Sequence, residues 1–379
     1  MKKLLILVPT LQFGGQERVA VNTAKILKSE YEIMIVIFDS RNSAYTPECN
    51  VISLNIPATN CCFCRCINVI KRSWKIWKIK RKYKIDFTIS FGLSANLVNV
   101  LSKGKDDCFI GIRAYDDVSN TLINNFMYKR CDKIIGCSNV ICDKIKKFSI
   151  DYTEKCVLLY NPYFFDTMID DGKKEITDYI FSKHTVISHG RLDEVKNYPR
   201  LIKAFYLVKK EVPDARLLII GEGSQRLILE RLIKKFELSE CVTLIGFRAN
   251  PFAYLAKASV YVLSSYSEGF PNSLIEGMTF LPVIAVDCKS GPREILSKGS
   301  FEKICDDIEE TDYGILVAPA SKREFSDKLL REDGILAKGI LMFLADSQKS
   351  SFFRGKARER VKTFSNDKYK HKMLEILEK

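Results

Sequence analysis

The sequence predicts an α/β chain of two domains, each built on a largely parallel sheet, and three observations carry that prediction. Short apolar runs alternate with amphipathic segments along the whole length, the pattern of successive strand-helix-strand units. At 379 residues and 46% hydrophobic content, the chain exceeds the roughly 250–300 residues over which one core grows, so two cores are expected. The alternation lapses once, from Asn161-Pro162 to Asp170-Asp171-Gly172-Lys173, and resumes with an apolar run at 185–189. That lapse sets the expected organisation: a first domain at 1–165, a second at 166–360, and a C-terminal helix at 361–379 that packs back on the first.

In the first domain the strands are expected at 4–8, 33–38, 51–54, 87–91, 109–113, 133–137 and 157–160, with helical periodicity such as 17–27 between them. Met1-Lys2-Lys3 and the apolar run after it imitate an export signal. Pro9 interrupts the run, however, and Gly14-Gly15 follows without a small-residue cleavage site, so it reads as a buried first strand. The second domain places strands at 185–189, 217–221, 242–246, 260–264, 283–286 and 314–317, with helices at 198–210, 225–236, 252–256 and 272–279. Parallel sheets of this kind hold ligands beyond the carboxyl ends of their strands, which makes the segments just after these runs the informative ones.

Lys and Arg outnumber Asp and Glu by 60 to 46, a net charge of +14 that favours an anionic partner such as a nucleotide, a nucleic acid or a lipid headgroup. The 13 cysteines are irregularly spaced, ten of them before residue 160, and reduced thiols in a cytosol fit that distribution better than a disulfide framework. Cys61-Cys62-Phe63-Cys64-Arg65-Cys66 concentrates four thiols, but no second ligand pair follows at zinc-site spacing, so a loop without metal is expected. No apolar stretch approaches the roughly 20 residues that span a bilayer, so membrane contact would be peripheral.

Eight Lys or Arg residues stand between Lys71 and Lys84, interleaved with Trp74, Ile76, Trp77, Ile79 and Tyr83. On a helix, Ile70, Trp74, Trp77 and Arg81 form one stripe flanked by cations. Two readings stay open: a helix lying on an anionic membrane surface through aromatic anchors, or a helix packing its Trp stripe into the first domain with its cations in water. No recognition motif accompanies the charge, so nucleic acid is not expected as a partner.

The sharpest chemical signal is Ser267-Glu268-Gly269-Phe270-Pro271-Asn272-Ser273-Leu274-Ile275-Glu276, directly after a strand. Gly269 and Pro271 make a turn that opens a helix, whose first backbone N–H groups and positive dipole end suit a diphosphate. Glu276 lies one turn along from Asn272, where a carboxylate can accept both hydroxyls of a ribose, and Glu268 on the loop can reach a sugar. Taken alone, the segment reads more readily as a capped surface helix with two solvated glutamates.

His189-Gly190-Arg191-Leu192-Asp193-Glu194-Val195-Lys196-Asn197 follows the first strand of the second domain and brings two cations, Arg191 and Lys196, to a strand end. They suit a diphosphate leaving group as its charge develops; the bland reading is a solvated basic loop. His189 itself, a lone histidine at a strand end, reads as structural, with nucleotide contact as the alternative. Phe13-Gly14-Gly15-Gln16-Glu17-Arg18 is either a close-approach loop for a phosphate or sugar, or a simple tight turn. Gly221-Glu222-Gly223 begins like a dinucleotide fingerprint, but the third glycine position is Arg226, which counts against a dehydrogenase.

Together, Gly14-Gly15 with Glu17-Arg18, Gly190-Arg191-Leu192 with Lys196-Asn197, Gly221 with Gly223, and Glu268-Gly269-Phe270 leading to Glu276 resemble the retaining glycosyltransferases of family 4. The resemblance covers nearly the whole chain and is most specific in the second half, with Pro47-Glu48-Cys49 and the run from Lys289 to Glu294 as weaker shared features. It implies the GT-B fold: two Rossmann-like domains with parallel sheets facing across a cleft, the acceptor mainly on the first and the nucleotide sugar on the second. It implies Arg191 and Lys196 on the donor diphosphate and Glu268 on the donor sugar, these three forming the catalytic set. Glu276 would bind the nucleotide ribose, and Gly15 with the backbone of Phe270, Pro271, Asn272, Ser273 and Leu274 would lie near the phosphates.

The resemblance further implies retention of anomeric configuration without metal or other cofactor, the leaving phosphate helping to deprotonate the acceptor. Within the family the chain looks most like bacterial enzymes that extend lipid-linked saccharides for O-antigen or capsule. The expectation is transfer of a hexose or N-acetylhexosamine from a UDP-sugar to a polyprenyl-diphosphate-linked acceptor, by a cytoplasmic protein peripheral on the inner membrane face. One departure stands out: many members carry a first-domain His near the donor sugar, and none of the three histidines here falls within 1–165. Arg113 or Asp116, in Gly111-Ile112-Arg113-Ala114-Tyr115-Asp116-Asp117, takes that position. The rival readings are a GT-B epimerase or phosphorylase, which would act without an acceptor, and a non-catalytic membrane- or nucleic-acid-binding protein, which would not bind nucleotide.

Overall fold

The computed structural model describes residues 1–12, 14–41, 43–119, 121–299, 303–320 and 327–378. The chain divides into two compact units, Met1–Tyr163 with Asn366–Lys379, and Phe164–Ser365. Among the described residues the first unit has strands β1 (Lys3–Val8), β2 (Glu32–Ile37), β3 (Asn50–Ser53), β4 (Phe87–Phe91), β5 (Asp107–Ile112), β6 (Lys133–Gly136) and β7 (Cys156–Leu158). They form one sheet of order β3-β2-β1-β4-β5-β6-β7, every pairing of which is parallel. Leu4, Leu5, Ile6, Leu7 and Val8 are all fully buried, as an unbroken apolar run must be when helices cover both faces of its sheet.

The basic segment belongs to a 22-residue helix, Cys62–Tyr83, which buries Arg72, Ile76 and Lys80. These residues are four apart and therefore share a face; Val69, Ile79 and Tyr83 pack beside them against Leu5, Leu7, Val36 and Val98. Arg72 donates twice to the Ile56 carbonyl, at 2.7 and 3.1 Å, and its guanidinium lies 4.3 Å over the Phe38 ring. Lys80 Nζ is 2.8 Å from Asp106 Oδ2 and 2.9 Å from Asn99 Oδ1, with both members of the ion pair almost wholly buried. The stripe of Ile70, Trp74, Trp77 and Arg81 is thus not the packing face. Ile70 and Trp74 are 68% and 55% exposed, because two cations that sequence reasoning left in water turn inward to polar partners. Cys61, Cys62, Cys64 and Cys66 lie exposed at the start of this helix rather than within a loop, and all thirteen cysteines are free thiols.

In the second unit the strands are β8 (Thr185–His189), β9 (Arg216–Ile220), β10 (Val242–Gly246), β11 (Val260–Leu263), β12 (Val283–Val286), β13 (Ile308–Glu310) and β14 (Ile315–Val317), in the order β10-β9-β8-β11-β12-β14-β13. Only β13, among these, runs antiparallel to its neighbour. It escaped the sequence reading because Ile308-Glu309-Glu310 is a short, half-exposed edge without an apolar run. Apart from the antiparallel β14-β13 pair at the edge of the second, each sheet reverses its strand order at one place, between β1 and β4 and between β8 and β11, and such switch points are where α/β sheets open a crevice for ligands.

The helix Asn366–Glu378 belongs to the first unit: Tyr369 and Thr23 hydroxyls meet at 2.6 Å in a buried contact, and the Asn366 N–H donates to the Tyr163 carbonyl at 3.2 Å. It brings one histidine, the exposed His371, into a unit that the sequence reading left without any. No helix among the described residues is long and apolar enough to cross a membrane.

Candidate functional site

In the second unit, the loops after β8 and β9 are locked together through their backbones. Gly190 N–H donates to the Ile220 carbonyl at 3.0 Å, Leu192 N–H to the Glu222 carbonyl at 2.9 Å, and Gln225 N–H to the Leu192 carbonyl at 2.9 Å. A Cβ on Gly221 would lie 1.9 Å from the Gly190 oxygen, and one on Gly223 would lie 2.4 Å from the Leu192 oxygen. The pair Gly221 and Gly223 is accounted for by this main-chain contact, and the contact fixes where Arg191 leaves the sheet.

The same loop is fastened to the end of β11 across the switch point. Ser264 Oγ donates to the Lys196 carbonyl and the Tyr266 N–H to the Val195 carbonyl, both at 2.8 Å. Asp193 caps the short turn Glu194–Lys196 by accepting the Lys196 N–H, and Asn197 takes a left-handed backbone (φ 50°) to start the next helix. Lys196 is thereby aimed at Glu268, 72 residues further on, with Nζ 2.7 Å from Oε1. Ser265 Oγ donates to the same oxygen at 2.7 Å. Arg191 is more exposed and pairs with Asp193 at 3.2 Å. The structure therefore gathers Lys196 and Glu268 directly and sets Arg191 on the same loop.

The Glu268 loop is stitched to the segment after β12, with Ser290 Oγ on the Gly269 carbonyl at 2.8 Å and a bridge between Ser267 and Lys289. Pro271 caps the helix Asn272–Phe280, whose residues after Asn272 are all buried. Phe270 and Leu274 point their side chains into the core, Phe270 edge-on to Phe364 at 5.2 Å. Their part in a ligand site would come from the backbone, and the Leu274 N–H is engaged by the Pro271 carbonyl at 3.1 Å. Glu276 sits on the second turn with Oε2 2.6 Å from His189 Nε2, both residues at least nine-tenths buried. Sequence reasoning gave His189 no such partner. Burial pushes the neighbouring Tyr261 and Tyr198 hydroxyls up, so both stay neutral beside this pair.

The remaining sequence candidates lie in the first unit. Phe13 falls outside the described residues; Gly14 caps the helix Gly15–Leu27, and the Glu17 carboxylate folds back over it, 2.1 Å from where a Gly14 Cβ would stand. Arg113, just after β5, donates to Asn161 Oδ1 at 2.9 Å and covers the Phe91 ring at 4.7 Å. Asp116 is exposed on the short turn Tyr115–Asp117. Among the described residues no group of three or more His, Cys, Asp or Glu side chains is placed to hold a metal ion.

Two largely parallel sheets, the second with a charged cluster at its switch point, define a two-domain doubly wound α/β protein, and comparison with known proteins makes the class specific. Residues 172–331 match the family described as Glycosyl transferases group 1. An uncharacterized glycosyltransferase of Methanocaldococcus jannaschii is 30% identical over 337 residues, covering 79% of this chain and 81% of the relative. A Campylobacter jejuni enzyme named N-acetylgalactosamine-N,N'-diacetylbacillosaminyl-diphospho-undecaprenol 4-alpha-N-acetylgalactosaminyltransferase is 28% identical over 394 aligned positions, with all of both chains covered. Among solved structures, Anabaena HepE in complex with UDP and glucose superposes with a TM-score of 0.77 over the full length of both chains at 17% identity. Staphylococcus aureus TarM does so with a TM-score of 0.77 at 14% identity, again over both full lengths. The fold is GT-B. The chain belongs to the group 1 glycosyl transferases and is a glycosyltransferase.

Proposed function

We propose that this glycosyltransferase moves an N-acetylhexosamine, N-acetylgalactosamine first among the candidates, from a UDP-sugar to a saccharide carried on polyprenyl diphosphate, with retention at the anomeric carbon. The observation that carries the site assignment is the meeting of Lys196 and Glu268 at 2.7 Å at the β8/β11 switch point, with Glu276 on the helix that follows. Lys196 and Arg191 neutralise the donor diphosphate as its bond to the sugar breaks, Glu268 accepts hydroxyls of the donor sugar, and Glu276 accepts the ribose hydroxyls. The leaving phosphate oxygen takes the acceptor proton, so no protein nucleophile and no metal take part.

The acceptor and sugar rest on the full-length Campylobacter relative and on a second one, 26% identical, whose name also describes alpha-1,4 transfer of N-acetylgalactosamine to an undecaprenol-diphosphate saccharide. An α-linked product from an α-configured UDP-sugar is a retained one. Surface polysaccharide assembly of the O-antigen or capsule kind, on the cytoplasmic face of the membrane, is the setting that such an acceptor supplies. The exposed side of the Cys62–Tyr83 helix, with Ile70, Trp74 and the cations Lys71, Lys78 and Arg81, would lie on anionic lipid there. The test is to incubate the purified protein, in EDTA, with a panel of UDP- and GDP-sugars and an undecaprenyl-diphosphate-linked saccharide, and to assign the new anomeric centre by NMR. An α-linked N-acetylhexosamine product supports the proposal; an inverted linkage, or release of free sugar without acceptor, sinks it.

A further inference from the structure

We propose that His189 is a positioning residue for nucleotide recognition: its Nε2–H holds the Glu276 carboxylate in the orientation that receives the ribose. The proposal rests on the reading of Glu276 as the ribose acceptor and adds the residue that makes it selective. His189 is the last residue of β8 and Glu276 stands on the helix after β11, so the pair spans the switch point from opposite sides. The contact is 2.6 Å long with both side chains buried. An ionised carboxylate only accepts, so the imidazole carries the hydrogen, and a charge-assisted bond this short is strong.

The other ring nitrogen, Nδ1, is buried with no hydrogen-bond partner among the described residues. The ring's hydrogen bond goes to Glu276, while Tyr261 stacks edge-on at 5.5 Å and limits its rotation. A carboxylate has about four lone-pair sites, so one bond to His189 is compatible with receiving a vicinal diol.

The experiment is calorimetric titration of UDP and of 2′-deoxy-UDP into the full chain as wild type, Glu276→Ala, His189→Phe, His189→Asn and His189→Gln. Wild type should prefer UDP by about tenfold, the discrimination worth one good bond to a charged acceptor. His189→Phe keeps ring volume and His189→Asn keeps polarity, but neither reaches Glu276. Both should lose most of the preference through weaker UDP binding, with 2′-deoxy-UDP affinity little changed. His189→Gln places an amide N–H near the Nε2 position and should restore it. A merely structural role would weaken both ligands equally and leave their ratio alone. Unchanged preference in the Phe and Asn variants, with preference lost in Glu276→Ala, overturns the role of His189 alone. No preference in wild type, or preference kept in Glu276→Ala, overturns the ribose reading of Glu276 itself.

Discussion

Replacing Lys196 with Ala removes the cation that stands 2.7 Å from Glu268. If Lys196 stabilises charge developing on the leaving diphosphate, loss of one preorganised contact of this kind costs about 2.7–4 kcal/mol, or roughly a hundredfold to a thousandfold in kcat. The structure adds a second effect. The Lys196 and Glu268 side chains are 19% and 12% exposed, so the variant leaves a largely desolvated carboxylate supported by Ser265 alone among the bonds described above. That carboxylate then repels the incoming diphosphate. Adding Glu268→Gln to Lys196→Ala should recover part of the lost UDP affinity, a coupling of about 0.5–3 kcal/mol for groups in direct contact. Initial rates in EDTA with UDP-sugar and lipid-linked acceptor, beside UDP titrations, give both numbers. Arg191→Ala should lose turnover on the same scale. Turnover within fivefold of wild type in both cation variants would refute the proposed site.

Three further outcomes follow from the packing. Lys80→Met leaves Asp106 buried without its cation and should cost about 3–5 kcal/mol; at about 2–4 °C per kcal/mol for a unit of this size, the melting transition falls by roughly 6–20 °C, and Lys80→Met with Asp106→Leu should recover much of it. Combined Ile70→Ala and Trp74→Ala should lower co-sedimentation with vesicles rich in phosphatidylglycerol at least severalfold without changing the melting temperature, because these side chains are exposed in the protein; unchanged sedimentation removes this helix as the membrane contact. The hydrogen bond from Arg293 holds the Glu309 carboxyl below its ordinary 4.5. A lowered folded value means the contribution is fully present above the ordinary value and lost as pH falls through the lower one. The melting difference between wild type and Glu309→Gln should therefore be flat at neutral pH and shrink below 4.5.

The central strands were legible because a parallel strand buried on both faces leaves an unbroken apolar run, as with Leu4, Leu5, Ile6, Leu7 and Val8 in β1. The loop residues Arg191, Lys196 and Glu268 were legible because they sit at fixed offsets after such runs. What stayed hidden is pairing at long separation. Nothing in the order of residues says that Lys196 meets Glu268, or that His189 meets Glu276 87 residues away. The Cys62–Tyr83 helix was undecided for a different reason. Its Trp stripe could face outward or pack inward on periodicity alone, and what decides it is that Arg72 and Lys80 find carbonyl and carboxylate partners on the other face, which no periodicity encodes.

The backbone lock between the loops after β8 and β9 has a bearing on how such enzymes can be rebuilt. The segment 190–192 is held through main-chain atoms of 220–222, and glycine at 221 and 223 is what admits it. A chimaera that imports a foreign 190–197 loop to change donor preference would have to import 221–223 along with it. The Glu268 loop is fastened to 289 and 290 rather than to 221–223, so under the proposed assignment the donor-sugar side and the diphosphate side of the site are anchored to different segments and would be rebuilt with different partners.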